Sequence, residues 1–404
     1  MNFTKKYITP SYLGIIDIGS YKIRVSACKF LNKKVTLLGY TEKRQDTSTF
    51  INGQCTNLAG LCEDIDDTLK KLERESKISL DEVVINFPFG ELFAATKKIN
   101  YKRSRPHTPL DREEIELIIS RAQEISLKKL SQEIYETHGI GKEEIELILS
   151  RINSFKIDTV EHKVVVGEEW ENIKISVLNV FVPLSKHNLV NHIGNIIEKK
   201  VLRTLPSEFC LTKLFTEKDI LVLDIGATQT SISIKKGGEL LGVSKIGIGM
   251  NNLLTKISEN TGKTRMEVLD KINTENYEDD KKSFLSIWNE ALLIGIKEII
   301  HDGICPNVIS IFWGGGNNDF IKNNLLRLSF ETQEIRIVKW LEFTHVCREN
   351  LLTHVESVSH ESILNINLDT FALILETNHI LSREKDSVSQ SLRKVVKTLG
   401  YTSY

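Results

Sequence analysis

Two stretches of the chain alternate apolar and polar residues and share the same interruption. In LGIIDIGSYKIRVSACKF (13–30) a run of apolar β-formers breaks at Asp17-Ile18-Gly19-Ser20, then resumes with Ile23, Val25 and Ala27 in alternation. In LVLDIGATQTSISI (221–234) the break is Asp224-Ile225-Gly226-Ala227, and Thr230, Ile232 and Ile234 alternate after it. Period-two patterning around an Asp-x-Gly break predicts a β-hairpin each time. One such turn serves any hairpin. Two, each opening one half of the chain, predict two similar domains facing a shared cleft.

Between these halves the pattern changes. Thr108-Pro109-Leu110-Asp111 precedes Ile115, Ile118, Ile119 and Ala122 at helical spacing, which predicts a helix over 108–127 with Thr108 as N-cap and Pro109 at N1. The words of that helix, EEIELIISR (113–121), return as EEIELILSR (143–151), but the second copy runs into INSFKIDTVEH. Its β-branched residues and alternation predict a strand. Residues 89–183 therefore read as an inserted α+β subdomain, with strand 91–99, helix 108–127, strand 144–152 and further strands to 183. SFLSIWNEALLIGIKEIIHDG (283–303) reads as a long apolar helix with Gly303 as its stop. In the tail, 383–404, Val388, Leu392, Val395, Val396 and Leu399 fall within roughly a 100° arc, with Arg393, Lys394 and Lys397 opposite. That face serves either a helix docked on its own domain or an in-plane anchor on anionic lipid.

Composition narrows the class. The chain has 404 residues, 41% hydrophobic and 26% charged, an ordinary globular balance for roughly two to four domain-sized units. A net charge of −1 gives no polyanion-binding signature, so nucleic acid is not an expected partner. The six cysteines form no CxxC and no zinc spacing, which suits a reducing compartment. MNFTKKYITP lacks an apolar signal core, and no segment approaches a membrane span, so the expected location is cytoplasmic. Several tempting motifs fail. TGKT (261–264) lacks the P-loop glycine, because position 257 is Ile257. There is no HExxH, Ser244 lacks the second glycine of a nucleophile elbow, and ENYEDDKK (275–282) reads as a solvated loop.

The paired turns do carry chemistry. Glycine lets backbone approach a ligand, and successive N–H groups in a turn form an anion nest. The hydroxyls of Ser20 and Thr228 add donors, Lys22 adds a point charge, and Asp17 and Asp224 at strand ends suit a hydrated Mg²⁺. A third strand, in ISIFWGGGNNDFI (309–321), ends in Gly314-Gly315-Gly316, where side chains would block a flat ring. In order and spacing, Asp17-Ile-Gly-Ser, Asp224-Ile-Gly-Ala-Thr and Phe312-Trp-Gly-Gly-Gly resemble the phosphate-1, phosphate-2 and adenosine motifs of the actin/Hsp70/sugar-kinase superfamily. The resemblance implies an α/β, actin-like fold with two RNase-H-like domains and ATP·Mg²⁺ between them. Nucleotide contacts would come from Gly19, Ser20, Tyr21, Lys22, Gly226, Ala227, Thr228, Gly249, Gly314, Gly315, Gly316 and Asn317, with Asp17 and Asp224 at the metal.

Within that superfamily, residues 49–88, the insert at 89–183 and VSKIGIGMNNLLTKI (243–257) resemble the bacterial cell-division actin FtsA. That implies a domain 1A of 1–88 plus 184–217, a 1C-type insert at 89–183, a second domain at 218–382 with an outer part near 259–304, and the tail at 383–404. It also implies a filament of the protein with itself, the C-terminal tail of FtsZ as partner, and attachment to anionic inner-membrane lipid through Val388, Leu392, Val395, Val396 and Leu399. The function so implied is an ATP-binding cell-division protein that polymerises on the cytoplasmic face of the membrane and tethers the FtsZ ring there. PilM, the actin-like component of type IV pilus machines, is the alternative, and a same-fold sugar or acetate kinase is the rival class. Relatives that hydrolyse ATP place an acid or amide just before a proline upstream of phosphate 2. This chain has Leu205 before Pro206, with Glu208 the nearest carboxylate and expected at the surface, so binding with slow or no turnover is expected.

Overall fold

The computed structural model describes residues 10–46, 48–51, 53–157, 160–162, 167, 169–300, 303–313, 319–346, 353, 355–357, 366–383 and 387–401. The chain opens on an antiparallel meander of β1 (Ser11–Ile18), β2 (Lys22–Leu31) and β3 (Lys34–Arg44). β1 is buried from Leu13 onward, as expected of a central strand covered on both faces. A short hairpin of β4 (Phe50–Ile51) and β5 (Gln54–Cys55) leads into α1 (Leu58–Ser76). Asn57 caps α1 by accepting from Gly60 N at 3.0 Å, and Leu61, Ile65, Leu69 and Leu72 form its buried stripe. β6 (Glu82–Asn86) then joins β1 in parallel.

The insert follows as β7 (Phe93–Lys102), α2 (Arg112–His138), β8 (Ile145–Ile157), β9 (Val160–His162) and β10 (Asn172–Pro183). The second copy of the repeated words is a strand, as the alternation predicts. α2 starts later than expected, because Asp111 and not Thr108 is the N-cap and accepts from Glu114 N at 2.8 Å. Thr108 instead supplies its carbonyl to the buried Arg103, which also pairs with Glu114 at 2.7 Å. The helix runs on to His138 and stops at Gly139, which takes the left-handed conformation at φ +70°.

The first domain resumes with α3 (Leu184–Ile196), β11 (Lys200–Leu205) and α4 (Ser207–Thr212). The second repeats its plan: a meander of β12 (Ile220–Ile225), β13 (Thr230–Lys236) and β14 (Glu239–Ile246), then α5 (Met250–Thr261), α6 (Arg265–Lys271) and α7 (Glu278–Ile299). TGKT proves to be a helix boundary, with Gly262 ending α5 at φ +70° and Thr264 capping α6. α7 begins inside the stretch expected as a loop, because Glu278, Asp279 and Asp280 suit the positive end of a helix dipole. It ends at Ile299, ahead of Gly303. β15 (Ile304–Cys305), β16 (Val308–Trp313), α8 (Asp319–Arg327), β17 (Arg336–Ile337), β18 (Glu342–Phe343) and β19 (Val355–Ser357) follow, then α9 (Leu368–Arg383) and α10 (Ser387–Thr398).

The strands form two main sheets. One has the order β11-β6-β1-β2-β3-β19, and the other β18-β16-β12-β13-β14-β7-β10-β8-β9. The segment β18-β16-β12-β13-β14 repeats the plan of β11-β6-β1-β2-β3, which is a duplicated α/β, actin-like architecture. The insert extends the sheet of the second half through one bridge, Gly242 to Ala95. Glycine is needed at that junction, since a Cβ on Gly242 would lie 2.9 Å from Ile299 Cγ2 and 3.4 Å from Ala94 O. No described helix is long and apolar enough to cross a membrane.

The tail departs from the lipid-facing expectation. Leu392, Val395 and Val396 are buried, Val388 and Leu399 pack beside them, and the surface they meet is α2 and β8. Tyr401 closes the contact against Phe181 at 5.7 Å, and Lys394 pairs with Glu116 at 3.2 Å. An apolar stripe does not encode what covers it, and here the insert covers it. Truncating Leu392 to Ala should therefore cost ~2–4 kcal/mol of unfolding free energy by urea titration. A cost below ~0.5 kcal/mol, the usual range for surface positions, would mean the helix is not docked.

Candidate functional site

The two predicted hairpins close in the same way. β1–β2 pairing ends at Ile18 with Ile23, and Gly19 N then donates to Lys22 O at 3.0 Å. β12–β13 pairing ends at Ile225 with Thr230, and Gly226 N donates to Gln229 O at 2.9 Å. The tips, Ser20-Tyr21 and Ala227-Thr228, border one cleft of about 290 Å³. Gly249 fits under the second tip only because it has no side chain: a Cβ would lie 2.6 Å from both Ala227 O and Gln229 N. The first N–H groups of α5 are engaged by this hairpin, Met250 N with Gly226 O at 3.0 Å and Asn251 N with Ala227 O at 2.8 Å. Met250, Leu254 and Leu269 from α5 and α6 supply an apolar wall. Gly314, Gly315, Gly316 and Asn317 lie outside the described residues.

Asp17 is held in the cleft by three side chains. Its Oδ1 accepts from Asn86 Nδ2 at 3.1 Å, and its Oδ2 accepts from Arg24 Nη1 at 2.9 Å and Thr370 Oγ1 at 3.1 Å. Burial works against the Arg24 charge, but Asp17 and Asp369 hold the guanidinium above its ordinary pKa. Lys22, expected as a free point charge, is paired with Glu42. Asp224 has no such partner: no hydrogen bond reaches its carboxylate among the described residues. Burial, with Glu208 and Asp17 nearby, pushes its pKa up to about 7. Burial and the neighbouring Asp224 raise Asp369 as well.

Two residues that sequence reasoning undervalued complete the site. Glu208, expected at the surface, is buried and paired with Lys245 at 2.7 Å, with Ser231 Oγ donating to it at 3.3 Å. Lys245 also donates to Phe89 O at 3.1 Å. Leu205 is fully buried and contributes only its carbonyl, which accepts from Phe87 N at 2.8 Å.

The residues present fit a phosphorylated ligand carried with a divalent cation. Glu208 Oε2, Thr228 Oγ1 and Asp369 Oδ1 are buried without a hydrogen-bond partner among the described residues. Four carboxylates (Asp17, Asp224, Glu208 and Asp369) line the cleft with three cations, Lys22, Arg24 and Lys245. Burial and mutual repulsion push Asp224 and Asp369 towards the protonated form, and a divalent cation would relieve that repulsion. Among the described residues no three acidic, His or Cys side chains gather as a metal cage. Mg²⁺ needs only one or two carboxylates and keeps its waters. Asp224 is the carboxylate open to it, while Asp17 would act through the groups it already holds. Such a cation would supply charge neutralisation for a phosphate chain at the two tips.

No protein-family profile matches the chain, and no curated protein matches it in sequence. Among solved structures, a chain of the PilM–PilN type IV pilus biogenesis complex is similar over 93% of this chain and 97% of its own, at 14% identity and a TM-score of 0.56. EutJ, an ethanolamine utilization protein from Carboxydothermus hydrogenoformans, aligns over 91% of this chain and 90% of its own, at 10% identity and a TM-score of 0.44. ROK hexokinase from Thermus thermophilus aligns over 91% and 100%, at 10% identity and a TM-score of 0.36. The likeness is one of fold, and the fold is actin-like.

The Asp224 carboxyl gives a pH prediction. Its folded pKa of about 7 lies above the ordinary 3.8, so its contribution to stability is complete below the unfolded value and is lost as pH rises through the folded one. In EDTA, wild-type stability should fall between about pH 4 and 7 more steeply than that of Asp224→Asn. Parallel curves from urea titrations across that range would contradict the raised pKa.

Proposed function

We propose that this protein is an actin-like, nucleotide-binding scaffold of the PilM kind, taking ATP·Mg²⁺ in the cleft and working within a membrane-associated pilus-type assembly. The observation that carries the reading is the pair of equivalent hairpin tips facing across a cleft with unpartnered buried polar atoms. Phosphate oxygens would be received by the tips at Ser20-Tyr21 and Ala227-Thr228, and the cation by Asp224. The Met250, Leu254 and Leu269 wall suits the apolar face of a nucleoside.

Turnover is slow in this reading. Leu205 cannot orient a water, and Glu208 has one oxygen committed to Lys245 and Ser231. Its remaining oxygen is the group best placed to hold an attacking water. The cell-division reading needs a lipid-facing tail, whereas the tail face is occupied by the insert, and this favours the pilus-type partner over FtsZ.

A fluorescent ATP analogue should bind the wild type with Mg²⁺, and phosphate release should stay near background and drop further in Glu208→Gln. Steady multiple turnover would move the protein into the enzyme class. The full-length chain should not float with anionic vesicles. Flotation that Val395→Glu abolishes would restore the cell-division reading.

A further inference from the structure

The two hairpin tips of the cleft are braced in different ways. At the second tip the carbonyls of Gly226 and Ala227 accept from Met250 N at 3.0 Å and Asn251 N at 2.8 Å, the first N–H groups of α5. Those donors are main chain, and any residue but proline supplies them. At the first tip a single residue takes two carbonyls. Gln45 follows Arg44, the last residue of β3, which pairs with Lys22. Its backbone N–H donates to Tyr21 O at 3.0 Å, and its side-chain Nε2 donates to Gly19 O.

The side-chain bond has a geometric consequence. In a trans peptide the C=O and N–H of one plane point in opposite directions. Drawing Gly19 O towards Gln45 therefore turns the Ser20 N–H away from it. Gly19 and Ser20 line the cleft, and Gln45 is not among its described lining residues.

Packing does not account for this glutamine. It is buried, and its Oε1 has no hydrogen-bond partner among the described residues. An unfilled buried acceptor is destabilising, so an unbranched apolar side chain such as methionine would suit the position at least as well. Gly19 itself is half-buried, so water can replace the amide at its carbonyl. What the glutamine adds is control of one peptide plane. Local departures from stable packing of this kind belong to functional sites.

We propose that Gln45 is a positioning residue for the phosphate chain of the cleft ligand: its amide holds the Gly19–Ser20 peptide so that the Ser20 N–H faces a phosphate oxygen. The inference rests on the reading of the cleft as an ATP·Mg²⁺ site. It adds that the first tip depends on one side chain, where the second depends on the start of a helix.

The test uses the full chain with a fluorescent ATP analogue and Mg²⁺. Binding should weaken about tenfold in Gln45→Met, while the urea midpoint without nucleotide stays at or above that of the wild type. The amide signal of Ser20 gives a second readout. In the wild type it should move downfield at saturating nucleotide, as a new hydrogen bond to phosphate requires, and in Gln45→Met at saturation it should move much less. If the methionine variant does not fold, Gln45→Asn, one methylene short of Gly19 O, replaces it. A wild type that does not bind the analogue would overturn the cleft reading and this inference with it. If the wild type binds, three results would overturn the role of Gln45 alone: equal binding by the variant, weaker binding only in step with a lowered urea midpoint, or a full Ser20 shift.

Discussion

The architecture of the cleft depends on the carboxylate of Asp17. It is buried, and it receives hydrogen bonds from three different elements: Arg24 in β2, Asn86 at the end of β6, and Thr370 in the first turn of α9. An ionised carboxylate can be kept out of water only when its acceptor sites are filled, so the requirement fixes three elements at once. Asn86 extends the arrangement, since its Oδ1 accepts from Ile18 N at 2.8 Å and its Nδ2 reaches Ile18 O and Ser207 Oγ. The first hairpin is thereby set rigidly against the helix that leads into the tail.

The second half of the chain repeats the hairpin without repeating this network. Asp224 occupies the position equivalent to Asp17, yet among the described residues no arginine or amide fills its acceptor sites, and burial with Glu208 and Asp17 nearby raises its pKa. The duplicated fold has thus become asymmetric: one aspartate supports the structure while the other is available. A bound cation would reverse the electrostatics at Asp224 by favouring the carboxylate. Glu208 and Lys245 connect that position to Phe89, at the start of the insert, and β14 connects it to the Gly242–Ala95 bridge. Cleft occupancy and the placement of the insert therefore share side chains.

Much of this was legible in the sequence because it is local. The period-two runs and the Asp-x-Gly breaks specify hairpins within about a dozen residues, and both hairpins close as the pattern implies. The partners of the aspartates were not legible. Arg24 reads as an ordinary polar position on a strand, and Thr370 lies 353 residues from Asp17. Glu208 sits in a stretch whose exposure depends on how two domains meet, so Lys245 could not be foreseen as its partner. The pattern alone sets the start of α2 too early because Thr108 and Asp111 are both good caps, and the demand of buried Arg103 for the Thr108 carbonyl decides between them. The tail stripe was legible as a stripe, but its covering surface is a tertiary fact.

The central claim is that the two hairpin tips and the start of α9 act as one ligand site. Hydrogen–deuterium exchange with and without Mg²⁺ and ATP tests it most directly. The account predicts that peptides covering Gly19–Lys22, Gly226–Gln229 and Asp369–Ala372 gain protection together, and only when cation and nucleotide are both present. Protection confined to one hairpin, or equal protection by ATP in EDTA, would contradict it.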